Sequence, residues 1–173
     1  MLNLVRKAQK GNDKAFLSLF QEYEQDIYRI AFVYVKNQSD ALDVVQETAY
    51  RSFKTIKYLK EPKYFKTWLL RIAINCSFDL LRKQKKVVQL KPEYEENVSG
   101  DINENTDLKV TVQDLIEGLN EEEKSVVILR FYEGLTFKEI SETLTIPLGT
   151  AKTILYRALD KLRTKLKGDG FYE

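Results

Sequence analysis

The chain has no histidine and a single cysteine, Cys76, among its 173 residues. Without histidine it lacks the most common metal ligand and general base found in proteins. A single cysteine cannot build an internal disulfide framework. Metal binding or acid–base catalysis would have to depend on carboxylates alone, so we expect no metal, no other cofactor and no small-molecule substrate.

Long hydrophobic runs are also missing, although 43% of the residues are apolar and can form a buried core. No apolar stretch approaches the roughly 20 residues that a membrane-spanning helix needs. Residues 1–7 lack the basic start, apolar stretch and small-residue cleavage site of a secretory signal. We therefore expect a cytoplasmic protein without membrane insertion, with one ordinary domain or two small ones.

The net charge of +2 hides a strong segregation of charge along the chain. Residues 1–86 carry 17 Lys and Arg against 9 Asp and Glu, whereas residues 87–118 carry 2 against 8. Residues 119–173 carry 9 of each sign, but residues 150–167 hold six basic side chains and a single acidic one, Asp160. Basic surfaces at both ends suit a polyanion, although charged faces are more often only solvated.

Apolar residues recur at intervals of three and four over most of the chain, which predicts an all-α fold. The first long helix is expected after Asn12 or Asp13, either of which is a good N-cap. Further helices are expected at about 40–56, beginning after Ser39, and at about 64–84, after a loop that Pro62 interrupts. The predicted core positions are Phe16, Leu19, Phe20, Tyr23, Ile27, Ile30, Ala31, Ala41, Val44, Val45, Thr48, Ser52, Ile56, Phe65, Trp68, Leu69, Ile72, Ala73, Cys76 and Leu80.

Residues 91–107 break this pattern with proline, glycine, asparagine and carboxylates, and they hold too little apolar surface to offset the entropy of ordering. This predicts two small helical domains joined by a flexible acidic linker. Helical periodicity returns near Leu108, and Asn120 is expected to cap a helix that Gly134 ends. A short helix at 137–144 and a last helix at about 150–167 follow, the last with a core stripe of Ala151, Ile154, Leu155, Ala158, Leu162 and Leu166.

The last two helices have the layout of a helix-turn-helix, which is the strongest local signal in the sequence. Thr136 and Glu139 have the spacing of a capping box at the start of the first helix. In such a motif the second helix lies in the major groove, with its N-terminal turns against the base edges. The face opposite its core presents side chains that bind bases and phosphates, namely Thr150, Lys152, Thr153, Tyr156, Arg157 and Lys161. An ordinary helical hairpin with a solvated basic face is the alternative.

The helix at 64–84 carries a different polar surface. Opposite its core lie Arg71, Asn75, Phe78 and Arg82, and the preceding loop supplies Lys57, Lys60, Lys63 and Lys66. Basic groups interleaved with an aromatic ring and an amide suit single-stranded nucleic acid, in which bases stack and charge holds the backbone. The alternative is that Phe78 packs against a neighbour and the lysines only keep the protein soluble.

The helix at 40–56 has an acidic and polar outer face, formed by Asp40, Asp43, Gln46 and Glu47. Such a face usually indicates nothing beyond solvation.

Together these segments resemble an extracytoplasmic-function (ECF, group 4) sigma factor of the sigma-70 family, over nearly the whole chain. GNDKAFLSLFQEYEQDIYRIAFVYVKNQSDALDVVQETAYRSFKTI is similar to region 2 of that family, and FKTWLLRIAINCSFDLLRK to the segment that opens the −10 promoter element. LNEEEKSVVILRFYEGLTFKEISETLTIPLGTAKTILYRALDKLRTKL is similar to region 4. The resemblance implies region 2 at 1–88, a linker at 89–108 and region 4 at 109–173.

The resemblance also implies a function, that of a non-enzymatic subunit that directs core RNA polymerase to promoters. Its partners would be the largest and second-largest polymerase subunits, promoter DNA in duplex and single-stranded form, and an anti-sigma factor, including one anchored in a membrane. Asp40, Asp43, Gln46 and Glu47 would contact a coiled coil of the largest subunit. The −10 element would meet Lys57, Lys60, Lys63, Lys66, Arg71, Asn75, Phe78 and Arg82, and the −35 element would meet Thr136, Thr150, Lys152, Thr153, Tyr156, Arg157 and Lys161.

Two other classes of protein are alternatives to a sigma factor. A dimeric helix-turn-helix repressor would bind duplex DNA by itself, and it leaves the region 2 segment without a role. A nuclease could hold magnesium with Asp and Glu, but the carboxylates here concentrate in the linker and on exposed helix faces.

Overall fold

The structure, a computed structural model, describes residues 1–89, 116 and 118–168. The described residues form helices joined by turns and contain no strand, which confirms the predicted all-α class. The expected linker at 91–107 and the periodic segment near Leu108 lie outside the described residues.

Four α-helices make up the N-terminal half: α1 is Leu2–Gln9, α2 is Asp13–Val35, α3 is Gln38–Thr55 and α4 is Phe65–Gln89. Two short 3-10 turns, Ile56–Tyr58 and Pro62–Tyr64, join α3 to α4. The sequence-based prediction omits α1, and it ends α4 too early, at Gln84.

Asparagine side chains start both α2 and α3. Asn12 Oδ1 accepts a hydrogen bond from the Ala15 N–H at 2.9 Å, so Asn12 is the cap of the two candidates, Asn12 and Asp13. Asn37 Oδ1 accepts one from the Asp40 N–H at 2.8 Å, so α3 begins at Gln38 and the predicted start after Ser39 is wrong. The reason lies in the preceding turn, because Lys36 adopts a left-handed conformation with φ 60° that ends α2 and brings Asn37 to the cap position.

The apolar stripes of these helices pack largely as their spacing predicts, but Trp68, Ile72 and Leu80 of the predicted α4 stripe are only half-buried. All the predicted core residues of α2 and α3 are buried, as are Phe65, Leu69, Ala73 and Cys76 of α4. In addition α4 buries Leu70 and Ile74, which lie outside the predicted stripe. Both join a cluster shared with the C-terminal half of the chain, so α4 packs on two sides and not one.

The described part of the C-terminal half, from residue 118 onward, contains three α-helices. Helix α5, Glu121–Val127, continues into a π-helical turn at Ile128–Tyr132, and α6 is Phe137–Leu144. Helix α7, Leu148–Gly168, starts two residues before the predicted 150. Capping boxes open α5 and α6, with Asn120 paired to Glu123 and Thr136 paired to Glu139, and the second of these confirms the box predicted from spacing.

Gly134 ends the helical path after the π turn, as predicted. Its φ of +67° belongs to the left-handed region, which glycine adopts without steric cost. The chain then turns back so that the Leu135 N–H donates to the Leu129 carbonyl at 2.9 Å. This turn sets the direction in which α6 leaves α5.

The two halves share one apolar seam. Ile30, Ala31, Tyr34 and Val35 at the end of α2 lie in the same buried cluster as residues from α5, α6 and α7. Tyr34 and Ser125 meet in a buried hydrogen bond across the seam. Since the Ser125 hydroxyl donates to the Glu121 carbonyl at 2.7 Å, its oxygen is left to accept from Tyr34.

Tyr34→Phe tests the seam. Removing one buried hydrogen bond is expected to lower the free energy of unfolding by about 1 kcal/mol, measured by urea denaturation at neutral pH. Burial raises the pKa of Tyr34 well above its usual range. The stability that depends on the neutral phenol is therefore present below about pH 10 and lost as the pH rises above it.

The difference in unfolding free energy between wild type and Tyr34→Phe should accordingly shrink above about pH 10. Tyr58→Phe is the matched control, because the Tyr58 ring is exposed, and it should match wild type at every pH. A constant difference between wild type and Tyr34→Phe across the alkaline range would contradict a buried neutral phenol.

Candidate nucleic-acid interface

The helix-turn-helix predicted from sequence is present in α6 and α7. Its turn is built on Thr145, whose φ of 57° ends α6, and on the Ser141 hydroxyl, which donates to the Ile146 carbonyl at 2.6 Å. Ala151, Ile154, Leu155 and Ala158 of α7 are buried, as predicted, and Ile140 of α6 is fully buried in the same cluster. Helix α6 thus holds the N-terminal turns of α7 at the surface.

The exposed face of α7 begins with a polar and aromatic group. Thr150, Lys152, Thr153 and Tyr156 are all exposed, and Tyr156 has 65% of its surface accessible. The Lys152 ammonium lies 5.9 Å from the centre of the Phe137 ring, and the Thr153 hydroxyl donates to the Gly149 carbonyl at 3.0 Å. These four side chains sit on the first turns, from which a recognition helix reads base edges.

Thr136 is exposed at the start of α6, but its side chain already has a partner. Its hydroxyl donates to a Glu139 carboxylate oxygen at 2.7 Å, and the Glu139 N–H donates to the Thr136 hydroxyl at 3.3 Å. The hydrogen bonds from the Thr136 N–H and hydroxyl lower the pKa of Glu139. The predicted role of Thr136 at DNA would have to coexist with this cap.

Arg157 and Lys161 lie on the same helix but are joined to a buried carboxylate. Arg157 Nε donates to Glu123 Oε1, and Lys161 Nζ donates to Glu123 Oε2, each at 2.9 Å. Glu123 is completely buried, whereas about half of each basic side chain remains accessible. The sequence-based prediction missed Glu123, although the predicted Asn120 cap placed an acidic residue at the third position of α5.

The polar face predicted on α4 is present in part. Arg71, Asn75 and Arg82 are exposed. Phe78 is half-buried, and its ring meets that of Tyr34 edge-on with the centres 5.2 Å apart. Its predicted place on the exposed face is therefore corrected, because α4 packs on two sides and Phe78 joins the shared cluster.

The lysines predicted to meet the −10 element also differ in exposure. Lys57, Lys60 and Lys63 are exposed, and the ammonium groups of Lys57 and Lys63 lie 5.0 and 4.8 Å from the ring centres of their neighbours Tyr58 and Tyr64. Lys66 is half-buried and donates to Glu133 in an ion pair of 2.9 Å across the seam.

Glu133 is a second buried acid that the sequence-based prediction missed. Only 2% of its side chain is accessible, and its other oxygen, Oε1, is buried without a hydrogen-bond partner in the described part of the chain. Desolvation lowers the pKa of Lys66, but the hydrogen bond and charge of Glu133 outweigh it and raise that pKa. Lys66 is therefore charged, and its ammonium group is held by Glu133 of the C-terminal half.

The acidic face of α3 is exposed at Asp43, Gln46 and Glu47. Asp40 is half-buried and accepts from the Gln84 side chain at 2.8 Å. Arg51 joins Glu47 to Asp79 of α4, with a hydrogen bond of 2.6 Å to each, and these two bonds raise the pKa of Arg51. Asp43 has no such partner within the described residues, so it is the least constrained charge on this face.

Apolar side chains accompany this acidic face. Leu42, Tyr50 and Phe53 of α3 each expose more than two-fifths of their surface. The sequence-based prediction did not assign Leu42 or Phe53 to a surface, although both lie outside the buried stripe of α3. An acidic face with exposed apolar groups beside it is suited to a protein partner.

Neither a membrane helix nor a metal centre was found in the described residues. No helix in the described ranges combines the length and apolar character needed to cross a bilayer. Over the same ranges, no group of three or more acidic or cysteine side chains is placed to hold a metal ion.

The fold and these surfaces define a class of protein, an all-helical protein that carries a helix-turn-helix in α6 and α7. The family models "Sigma-70 region 2" and "Sigma-70, region 4" match residues 19–87 and 115–164. RNA polymerase sigma factor SigV of Bacillus subtilis (strain 168) is 38% identical over 161 residues, which cover 91% of this chain and 95% of SigV. The chain therefore belongs to the sigma-70 family of RNA polymerase sigma factors, in its extracytoplasmic-function group.

Further relatives agree with this assignment. The ECF RNA polymerase sigma factor SigW of the same organism is 30% identical over 94% of this chain and 95% of SigW. Among solved structures, CnrH in complex with the cytosolic domain of CnrY covers 98% of both chains with a TM-score of 0.74. At 21% identity that likeness concerns the fold.

Lys66→Ala tests the ion pair across the seam. The change leaves the buried Glu133 carboxylate without its cation, so the free energy of unfolding is expected to fall by about 1–3 kcal/mol. Lys63→Ala is the matched control, because Lys63 is exposed and its ammonium lies over the Tyr64 ring, a contact of about 0.5–1 kcal/mol. Equal losses for the two variants in urea denaturation would show that Glu133 does not depend on Lys66.

Proposed function

We propose that the chain is a sigma factor that binds core RNA polymerase and directs promoter-specific initiation of transcription at −10 and −35 elements. The observation that carries this function is the match to both sigma regions in order along one chain. In this role the protein has no catalytic activity of its own, and it acts in the cytoplasm beside the polymerase. Region 2 corresponds to residues 1–88, the linker to 89–108 and region 4 to 109–173.

The proposed polymerase-docking surface is the outer face of α3, with Asp40, Asp43, Gln46 and Glu47. Exposed carboxylates favour a basic partner surface, and the neighbouring Leu42 and Tyr50 can supply apolar contact. Arg51 holds Glu47 in place, which reduces the cost of ordering that carboxylate on binding.

The proposed −10 surface runs from the loop before α4 onto the helix itself. Lys57, Lys60 and Lys63 are exposed cations beside tyrosine rings, a combination that suits single-stranded DNA. Arg71, Asn75 and Arg82 extend this surface along α4. Phe78 and Lys66 can contact DNA as predicted only if they first leave their present partners. The Phe78 ring packs against Tyr34, and Lys66 is paired with Glu133.

The proposed −35 surface is the exposed face of α7. Thr150, Lys152, Thr153 and Tyr156 lie on its first turns, where they can meet base edges in the major groove. Arg157 and Lys161 lie toward the C-terminal end of this face, where both are hydrogen-bonded to Glu123, and Thr136 flanks the face at the start of α6.

An anti-sigma factor is proposed as the third partner. CnrH was solved with the cytosolic domain of CnrY, and the sigma factor RpoE of Bartonella quintana with the anti-sigma factor NepR. Both share their fold with this chain. The proposal includes anti-sigma factors that are anchored in a membrane.

Run-off transcription with purified core polymerase tests the function. Adding this protein is expected to make transcription promoter-dependent, whereas a repressor or a nuclease would not. Asp43→Arg should abolish this effect and the binding of core polymerase, because it replaces attraction with repulsion while leaving the Arg51 ion pairs intact. Glu24→Arg, the same reversal on the exposed face of α2, should behave as wild type.

Full activity of Asp43→Arg with normal core binding would remove α3 from the docking surface. Transcription that stays independent of the promoter with wild-type protein would contradict the function as a whole.

The basic loop is tested by replacing Lys57 and Lys60 with alanine together. Each lysine that neutralises a phosphate of single-stranded DNA contributes about 0.7 to the slope of log affinity against log salt, so the slope should fall by about 1.4. The measurement is binding of the holoenzyme to DNA with a single-stranded −10 region. Lys85 and Lys86, exposed near the far end of α4 from this loop, give the control pair, and an equal change for both pairs would contradict a local contact.

A further inference from the structure

A fully buried carboxylate lies behind the exposed face of α7. Glu123, at the third position of α5, accepts the Asn120 N–H at 3.0 Å, Arg157 Nε at 2.9 Å and Lys161 Nζ at 2.9 Å. No part of its side chain is accessible. Burial favours the protonated form, but the hydrogen bonds from Lys161 and the Asn120 N–H prevail, and the pKa of Glu123 is lowered. The group is a carboxylate at neutral pH.

The two cations that it holds are one helical turn apart on α7. A spacing of four residues places Arg157 and Lys161 on the same side of the helix, the side that faces the start of α5. The cleft along this side is lined by Glu122 as well as by Thr150, Thr153 and Arg157. With Glu122 and Glu123 set against Arg157 and Lys161, the charges on this side of α7 balance, so it offers little net attraction to a phosphate.

The remaining exposed groups of α7 are not held in this way. Lys152 and Tyr156 lie a turn apart on the accessible face, and within the described residues neither is bonded to a carboxylate. They also lie on the first turns of the helix, which are the turns that reach base edges in a helix-turn-helix. Two sets of side chains thus share α7, one available to DNA and one bound to α5.

We propose that Glu123 is a positioning residue for promoter specificity, which keeps Arg157 and Lys161 out of phosphate contact and confines reading of the −35 element to the first turns of α7. The inference rests on the proposed function and extends it to a residue that cannot itself touch DNA. Phosphate contacts add affinity for every sequence alike, whereas base contacts distinguish sequences. When Arg157 and Lys161 do not contact phosphates, base contacts supply a larger share of the binding free energy, and the protein distinguishes sequences better.

Glu123→Gln is the test variant, because the amide oxygen can still accept the Asn120 N–H while the charge that holds both cations is lost. Glu139→Gln is the matched control. Glu139 has the same position in the capping box of α6, but within the described residues its carboxylate is hydrogen-bonded to Thr136 and not to a cation. Wild-type and variant holoenzymes are incubated with a duplex library randomised over the −35 element, at several salt concentrations, and the bound DNA is sequenced.

The expected result is that Glu123→Gln binds duplex DNA with a steeper salt dependence, by up to about 0.9 in the log–log slope for each freed cation. The enriched −35 sequence should become several-fold less distinct. Adding Arg157→Gln and Lys161→Gln to Glu123→Gln should return the slope to its wild-type value. Glu139→Gln should keep the wild-type slope and sequence preference, whatever it does to the melting temperature.

A purely structural role would weaken binding to all sequences in parallel with an unchanged slope, and that outcome overturns the inference. Should Glu123→Gln not fold, Glu123→Asp retains a charged cap but is one methylene too short to hold both cations, and it should steepen the slope in the same direction. A wild-type holoenzyme that enriches no sequence would mean that the sigma-factor function itself is wrong. Wild-type enrichment together with identical behaviour of Glu123→Gln and Glu139→Gln would overturn the inference alone.

Discussion

The burial of α2 along its whole length is the constraint on which the rest of the structure depends. Its first part, from Ala15 to Ile27, packs with α1, α3 and α4 in one cluster. Its last part, from Ile30 to Val35, packs in a second cluster with helices of the C-terminal half. One helix with two apolar neighbourhoods therefore orients the proposed docking face of α3 and the proposed −10 face of α4, and it also receives the helix-turn-helix.

Buried carboxylates then organise charge around this apolar frame. A buried charge is costly unless it is paired and hydrogen-bonded. Glu123 meets this requirement with two cations and a backbone N–H, whereas Glu133 has, among the described residues, one cation and one oxygen without a hydrogen-bond partner. The ion pairs of Glu123 with Arg157 and Lys161 join α5 to α7 within the C-terminal half. The ion pair between Glu133 and Lys66 links the two halves, so a phosphate that binds Lys66 would have to compete with Glu133.

Much of the fold was predictable because its signals are local. Apolar spacing identified α2, α3, α4, α6 and α7, and the capping box of Thr136 and Glu139 marked the start of α6. The errors also have physical causes. Asn37 and not Ser39 caps α3, because the left-handed Lys36 ends α2 directly before it. Phe78 is half-buried because the C-terminal half of the chain packs beside α4. Helix α1 had no long apolar stripe, since only Val5 and Ala8 are buried in it.

The sequence by itself determined where the helices lie and which residue types form each polar face, because capping and helical periodicity act over a few neighbouring residues. The tertiary structure alone decided which of those charges are available. Lys161 and its partner Glu123 are separated by 38 positions, and Tyr34 and Ser125 by 91. Pairings at such distances depend on how helices pack and not on local pattern, so Lys152 and Lys161 look alike in the sequence while only one of them is held by a buried carboxylate.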